Sequence, residues 1–366
     1  MKICHVTSVH PRADSRIFLK YCRSLAQHGF ECHLVVVDPF SGMLDGIHVH
    51  GLSIPVGGRL QRMTKNCWKV YRKALALDAD IYHFHDPELI PYGLLLRLQG
   101  YRVIYDAHED VPADILGKKW IPSGLRSLIS FTFKLLENFS ARRFSAVVGA
   151  TPFISERFQK IGCRTINVNN YPLQNELKLS SQHHTENREP VVCYVGMVSE
   201  LRGIFSMLEA IDQSGVDILL AGPFDHGKLR DQLTQLPGWK RVRELGQISR
   251  EAVANVMHRS IAGLVLYLPD PNHNNAQPHK LFEYMSSELP VIASDFPLWK
   301  RIIEENRCGI CVNPEDPKQI AEAILRLKDN PDLVKEMGIN GRRAILEKFN
   351  WEWEFQKITA LYKELV

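Results

Sequence analysis

Short β-branched and apolar runs alternate along the chain with stretches whose apolar positions recur at helical spacing. The runs predict strands at Lys2–Ser8, Glu31–Val37, Asp80–His85, Arg102–Tyr105 and Ala146–Val148, then at Val191–Val195, Val216–Ala221, Val242–Leu245, Ile261–Leu266 and Val291–Ala293. Helical periodicity lies between them, for example over Ile17–His28, Gly124–Phe139, Ile204–Asp212 and Arg250–Met257. Strand–helix alternation of this kind predicts parallel sheets covered by helices on both faces. The pattern lapses between Tyr171 and Glu189, where Leu173-Gln174-Asn175-Glu176 and Ser180–Asn187 are polar and aperiodic, and a fresh strand follows Pro190. Two doubly wound α/β domains, 1–170 and 171–350, are therefore expected. The last segment, Trp351–Val366, reads as helical and is rich in large apolar residues, Trp351, Trp353, Phe355, Ile358, Leu361 and Tyr362, which predicts a docked terminal helix.

Length agrees: 366 residues at roughly 150 per domain give about two domains. With 45% apolar and 23% charged residues, disorder, collagen-like repeats and coiled coils are excluded. No apolar run approaches the roughly 20 residues of a membrane span. The opening Met1–Val6 reads as a strand rather than a leader, so a cytoplasmic protein is expected. Eight cysteines are too sparse for a disulfide framework. Cys308-Gly309-Ile310-Cys311 has no second pair near it and precedes no helix, so it reads as a core strand rather than a metal or redox site. Charge is uneven. Residues 1–170 carry 22 Lys and Arg against 14 Asp and Glu, residues 171–366 carry 23 against 27, and the net +4 hides opposite halves. A basic first half suits nucleic acid, a membrane surface or a phosphorylated ligand.

In open parallel sheets, ligands gather at the carboxyl ends of strands. In the first half those ends carry His10–Arg16, His85-Asp86-Pro87-Glu88, Asp106–Asp110 and Thr151-Pro152; in the second, Gly196–Gly203, Gly222-Pro223, Gly246-Gln247 and Pro269–Lys280. Gly196–Gly203 follows a strand and opens a helix, where backbone N–H groups attract phosphate and Arg202 adds a fork of donors; an ordinary turn with a solvated arginine has the same pattern. In Gln277–Met285, Pro278 suits a first helical position. Lys280 and Glu283 then share one face, ~4.5 Å apart along the axis, about the separation of a nucleotide's phosphate and its ribose hydroxyls; a surface ion pair is the plain alternative. His83 and His85 share one strand face and His108 ends the next strand, without the ligand spacing of a metal site. His83, deeper in its strand, reads as packed, and the strand-end histidines as site residues. The basic, aromatic-bearing stretches Arg59–Lys73 and Lys118–Arg143 suit an anionic bilayer or a solvated helix face.

Taken together, these segments resemble a retaining glycosyltransferase of the GT-B fold, of the family 4 or group 1 type found among bacterial surface-polysaccharide and lipopolysaccharide enzymes. The likeness is carried by His10–Phe18, His85–Leu89, Tyr105–Asp110, Gly196–Gly203 and above all Pro278–Met285 with Leu289–Ser294, and it spans nearly the whole chain. It implies two Rossmann-like domains facing a cleft, with the terminal helix crossing back onto the first. It further implies that Arg202 and Lys280 hold the donor's diphosphate between Gly196 and Gly203, that Glu283 holds the ribose, and that Gly246, Gln247 and Ile248 line the base pocket. His108 is then near the transferred sugar, with Asp14, Arg16, His85 and Asp86 on the acceptor side. Three features depart from the family's pattern. Asn275, expected on the donor side, stands eight positions before Glu283, where a first glutamate is usual; Met197 stands where an arginine often follows the strand-end glycine; and His279 stands where an asparagine is common. The expected activity is metal-independent, cofactor-free transfer of a hexose or N-acetylhexosamine from a UDP- or GDP-sugar to a saccharide or polyprenyl-linked acceptor. The basic first domain would attach at the inner face of the membrane, and no nucleic acid partner is expected. A GT-B epimerase or phosphorylase, or a basic nucleic-acid-binding protein, are the competing readings.

Overall fold

Two parallel sheets carry the fold, one in each of two units: Met1–Asn170 with Trp351–Val366, and Tyr171–Asn350. The structure, a computed structural model, describes residues 1–54, 58, 61–118, 120–174, 177, 188–270, 273 and 276–366.

In the first unit, β1 (Lys2–Val6), β2 (Glu31–Val36), β3 (Gly42–Leu44), β4 (Ile47–Gly51), β5 (Ile81–Phe84), β6 (Arg102–Ala107), β7 (Ala146–Gly149) and β8 (Thr165–Asn167) line up in the order β3-β4-β2-β1-β5-β6-β7-β8. The pairings are parallel except β3 with β4. Helices on both faces bury β5 along its whole length and β1 after its first residue, which is why these strands read as continuous apolar runs. The sequence pattern does not mark β3, β4 or β8. They are short edge strands, and none carries a continuous apolar run.

The terminal helix Trp351–Leu365 packs within this unit. Trp351 Nε1 donates to Ser24 Oγ at 2.9 Å, the Glu354 carboxylate accepts the Asn169 N–H at 2.8 Å, and the Tyr362 hydroxyl meets His83 Nδ1 at 2.6 Å. Trp351, Phe355, Ile358, Leu361 and Tyr362 are therefore core, whereas Trp353, counted with them in the sequence, is 50% exposed.

In the second unit, β9 (Val191–Val195), β10 (Asp217–Ala221), β11 (Val242–Gly246), β12 (Ala262–Val265), β13 (Val291–Ser294) and β14 (Gly309–Val312) take the order β11-β10-β9-β12-β13-β14, all parallel. β14 is the C-x-x-C segment. Burial pushes the thiols of Cys308 and Cys311 up to about 12, as for core residues. Strand order reverses between β1 and β5 in one sheet and between β9 and β12 in the other, so each sheet has one switch point where strand-end loops diverge.

At the second switch point the loop after β9 is locked to the end of β12 by Gly203. Its φ is 71°, and a Cβ added there would sit 2.0 Å from the Leu266 carbonyl oxygen. Gly203→Ala should therefore cost at least the 1–3 kcal/mol or so of a strained backbone position. Urea unfolding should show the loss, while Gly227→Ala, where an added carbon meets nothing within 4 Å, should leave the midpoint unchanged.

Candidate functional site

The polar chemistry of the second unit converges on Gly196. The chain leaves β9 there with φ 127°, and a side chain at this point would fall 3.1 Å from Lys280 Nζ and 3.8 Å from Arg202 Nη1. Only glycine leaves the backbone accessible between two cations. Arg202 closes the single turn Glu200–Arg202 and donates from Nη1 to the Met197 carbonyl at 3.1 Å.

Lys280 comes from the helix His279–Ser286, which Pro278 precedes as the N-cap rather than opening as its first residue. Its side chain runs inward and the residue is 7% exposed. Nζ lies 3.8 Å from the centroid of the Tyr194 ring and 5.7 Å from that of Tyr267, and it has no hydrogen-bond partner among the described residues. Burial first, then the neighbouring Arg202 charge, hold this amine well below the usual lysine range; Glu283 pulls the other way without offsetting them. A buried amine facing two aromatic rings, with a guanidinium beside it, is an anion site in want of its anion.

Glu283 does not form the i, i+3 ion pair. Its Oε1 accepts from Arg250 Nη1 at 2.9 Å, and Arg250 opens the helix Arg250–Arg259. The carboxylate is half-buried and held in place from the start of that helix. Gly246 ends β11 with φ 65°, its carbonyl accepting the Gly222 N–H at 2.7 Å. Gln247 beyond it is exposed, and Ile248 packs against the core. Asn275 lies outside the described residues. Tyr194, Tyr267 and Arg250 do not stand out in the sequence. The signal for Tyr194 is its place as the penultimate residue of β9, beside the glycine turn.

The first unit spends its strand-end residues differently. Asp106, fully buried on β6, accepts from Arg16 Nε at 3.0 Å and Nη2 at 2.8 Å, and its Oδ2 lies 3.0 Å from both His85 Nδ1 and His108 Nε2. Burial would raise this carboxyl, but Arg16 and then His108 outweigh it and hold it well below the carboxylate range. His85 continues inward to His5 at 2.9 Å. Asp86 accepts the Ser8 N–H at 2.5 Å and the Thr7 hydroxyl at 2.8 Å, and pairs with His10 Nδ1 at 2.7 Å. Burial opposes its ionisation, yet His10 and these donors bring its carboxyl down to about 2. The hydrogen bond to Asp86 in turn raises His10. Asp14 caps the helical turn that follows it, accepting the N–H groups of Arg16 and Ile17.

Of the four residues expected on the acceptor side, Arg16, His85 and Asp86 are thus buried in the unit's own hydrogen bonds, and Asp14 serves as a helix cap. The groups reaching the surface are His108 and His10, with side chains 20% and 29% exposed and ring centroids 5.3 Å apart. Each is backed by a buried aspartate. The sequence places His10 and Asp106 among the strand-end residues but gives neither a role of its own. Asp106 is signalled by polar residues on every second position at the ends of adjacent strands, His83 and His85 at β5 and Asp106 and His108 at β6, whereas His10 lies beyond the end of β1 and carries no such signal.

His83, His85 and Asp106 bring potential ligand atoms within 4.8 Å of one another. The Arg16 guanidinium covers both Asp106 oxygens, however, and His83 Nδ1 is engaged by Tyr362. This donor set suits a buried hydrogen-bond network rather than a cation.

Two family profiles match the chain: "Glycosyl transferase 4-like domain" over residues 15–171 and "Glycosyl transferases group 1" over residues 176–344. The chain belongs to the GT-B glycosyltransferases. Among curated relatives, the alpha-D-kanosaminyltransferase of Streptomyces kanamyceticus is 26% identical over 185 residues, 48% of this chain and 46% of that protein. The chain thus spans about half the length of the curated relatives it first matches. Over the full chain, the fold matches sucrose-phosphate synthase of Thermosynechococcus elongatus with a TM-score of 0.80 at 17% identity, covering 100% of this chain and 99% of that one. It also matches Anabaena HepE, solved with UDP-glucose, with a TM-score of 0.73 at 17% identity and 100% of both chains covered.

In this GT-B glycosyltransferase the Lys280 amine, with no hydrogen-bond partner among the described residues, should destabilise the empty protein. Lys280→Met should leave stability unchanged or raise it by about 1–3 kcal/mol, the cost of an unsatisfied buried polar group. The sign with pH is fixed. The folded amine releases its proton below the usual lysine range, so the unfolded chain binds more protons between the depressed value and about 10.4. Wild-type stability should therefore rise with pH across that window relative to Lys280→Met. Urea titrations of both proteins at several alkaline pH values check this.

Proposed function

We propose that this chain is a retaining, metal-independent hexosyltransferase. It takes a hexose or N-acetylhexosamine from a UDP- or GDP-sugar and delivers it to a saccharide, or to a lipid-linked saccharide presented at an anionic membrane surface, in surface-polysaccharide or lipopolysaccharide synthesis. On this reading it works in the cytoplasm, without a cofactor and without nucleic acid. The observation that carries the proposal is the buried, unpartnered Lys280 amine beside Arg202 at Gly196. A diphosphate is the ligand class that supplies what this corner lacks, several acceptor oxygens and at least two negative charges. The solved complex of HepE with UDP-glucose supports a nucleotide-sugar donor, and the sugar transferase named among the relatives supports a saccharide product.

The chemistry follows from where charge grows. As the glycosidic bond breaks, negative charge gathers on the leaving phosphate oxygens and positive charge on the sugar. Lys280 and Arg202 interact more strongly with that leaving group than with the intact donor, which lowers the barrier. The departing diphosphate and the incoming hydroxyl share one face of the sugar, so the anomeric configuration is retained. Glu283, held by Arg250, accepts from ribose hydroxyls that take no part in the reaction. The acceptor is assigned to the first unit, and the polar contacts on that side to His108 and His10.

Transfer should persist in EDTA, because two side-chain cations take the part that a divalent metal would otherwise play. Lys280→Met should lower kcat/KM by on the order of 10²–10³, as for other losses of a charge-stabilising donor. Glu283→Gln should raise KM and the nucleotide Kd together with a milder change in kcat. Initial rates with a panel of UDP- and GDP-sugars, beside calorimetry with the free nucleotides, separate the two. Full turnover by Lys280→Met, or activity restored only by Mn²⁺, would overturn the assignment. Turnover of the sugar nucleotide without any acceptor would point to an epimerase.

A further inference from the structure

The helix Ser123–Ala141 is turned inside out. Its buried residues are Ser130, Glu137, Ser140 and Ala141, whereas Leu125, Leu128, Phe131, Leu135, Leu136 and Phe139 are 42% to 59% exposed. At about 100° per residue the six exposed side chains fall within an arc of roughly 140°, opposite the buried four. A surface helix of a globular unit ordinarily does the reverse. The apolar surface continues onto neighbouring elements. Leu98, 82% exposed, ends the helix Ile90–Leu98, and Leu116, 48% exposed, lies on the helix Val111–Gly117; both helices pack against Ser123–Ala141. Six large apolar side chains exposed within one arc of a helix, with more on the helices packed against it, mark a surface that something covers.

The charges say what. The one acid of the helix, Glu137, is turned inward, where Arg157 Nη2 donates to it at 2.5 Å and the Tyr105 hydroxyl at 3.2 Å. The exposed charges of the helix and its end are cations. Lys134 is exposed at the flank of the apolar arc, and Arg142 and Arg143 are exposed just past the helix end, with the Arg143 guanidinium 3.4 Å from the Phe139 ring centroid. Two copies meeting through this face would bring like charges together. An anionic lipid surface meets both needs at once, acyl chains for the leucines and phenylalanines and headgroup phosphates for the cations. No helix among the described residues is long and apolar enough to cross a membrane, so the helix would lie flat.

We propose that Ser123–Ala141 is an interfacial helix that seats the first unit on an anionic bilayer, with Phe131, Leu135 and Phe139 among the acyl chains and Lys134, Arg142 and Arg143 at the phosphates. This rests on the proposed function only for its purpose, which is to hold the protein beside a lipid-linked acceptor. Of the two basic stretches in the sequence, it assigns the contact to Lys118–Arg143. Arg59, in the other stretch, lies outside the described residues, and Arg62 there is paired with Glu88.

Flotation of the full chain with phosphatidylcholine vesicles, with and without phosphatidylglycerol, tests the proposal. Wild type should bind the anionic vesicles and release them as salt rises. The triple variant Phe131→Ser, Leu135→Ser, Phe139→Ser should bind about tenfold more weakly or worse, with its UDP affinity unchanged. The variant Lys134→Gln, Arg142→Gln, Arg143→Gln should lose the salt-sensitive part. If the serine triple does not fold, single Phe131→Ser and the glutamine variant carry the test. Equal binding to neutral and anionic vesicles, or wild-type binding by these variants, would overturn the proposal. So would a solution dimer that the serine variant abolishes in a protein that ignores vesicles, which would give the face to a second copy. Wild type that binds vesicles but no nucleotide would count against the donor site alone, so the two readings fail separately.

Discussion

An amine shut away from water without a hydrogen-bond partner among the described residues is a standing cost, and the second unit is organised around one. Lys280 is held between Tyr194 and Tyr267 beside a second cation. The surrounding sequence choices keep it there. Gly196 leaves no side chain to block the approach, and Gly203 ties the Arg202 loop to the end of β12. Glu283, three positions on in the same helix, is drawn away by Arg250. Had Glu283 paired with Lys280, the local charge would be satisfied and the attraction for an anion largely lost. Stability is given up at this point so that an incoming diphosphate completes the structure.

The first unit solves the opposite problem. Asp106 is buried as deeply as Lys280, but it is saturated by Arg16, His85 and His108. A carboxylate with this many donors is a rigid anchor rather than a reactive group. It fixes the imidazole of His108 at the surface, as Asp86 fixes His10. Nearby, Tyr362 of the terminal helix engages His83, which continues the same polar seam into the unit's core.

Much of this was legible in the chain. The alternation of strand and helix predicts both sheets, and the lapse after Tyr171 falls where the structure divides. Gly196–Gly203 and Lys280 were visible because a strand-end glycine and a lysine after Pro278 are local signals. Edge strands β3, β4 and β8 were not: β3 and β8 are three residues long, too short for a periodic trace, and β4 alternates buried Ile47 and Val49 with His48 and His50 over only five residues. Nor was the partner of Glu283: helical spacing favours Lys280, whereas the contact that forms comes from Arg250, 33 positions away. Arg16, His85 and Asp86 were legible as strand-end polar residues. Whether such a residue faces a ligand or a neighbour is decided by long-range packing, and here it faces Asp106, Ser8 and His10. The outward apolar face of Ser123–Ala141 was hidden for the same reason, because periodicity shows that a helix is amphipathic and not which side the core takes.

Proton uptake on nucleotide binding tests the central claim most directly. Calorimetric titration with UDP or GDP, repeated in buffers of different ionisation enthalpy across neutral to alkaline pH, counts the protons taken up when the diphosphate arrives. If the empty site holds Lys280 as a depressed amine, the bound diphosphate restores its charge. Wild type should then take up a proton over an alkaline window that Lys280→Met lacks, and the variant should bind far more weakly. Equal nucleotide affinity and identical proton counts for the two proteins would contradict the account.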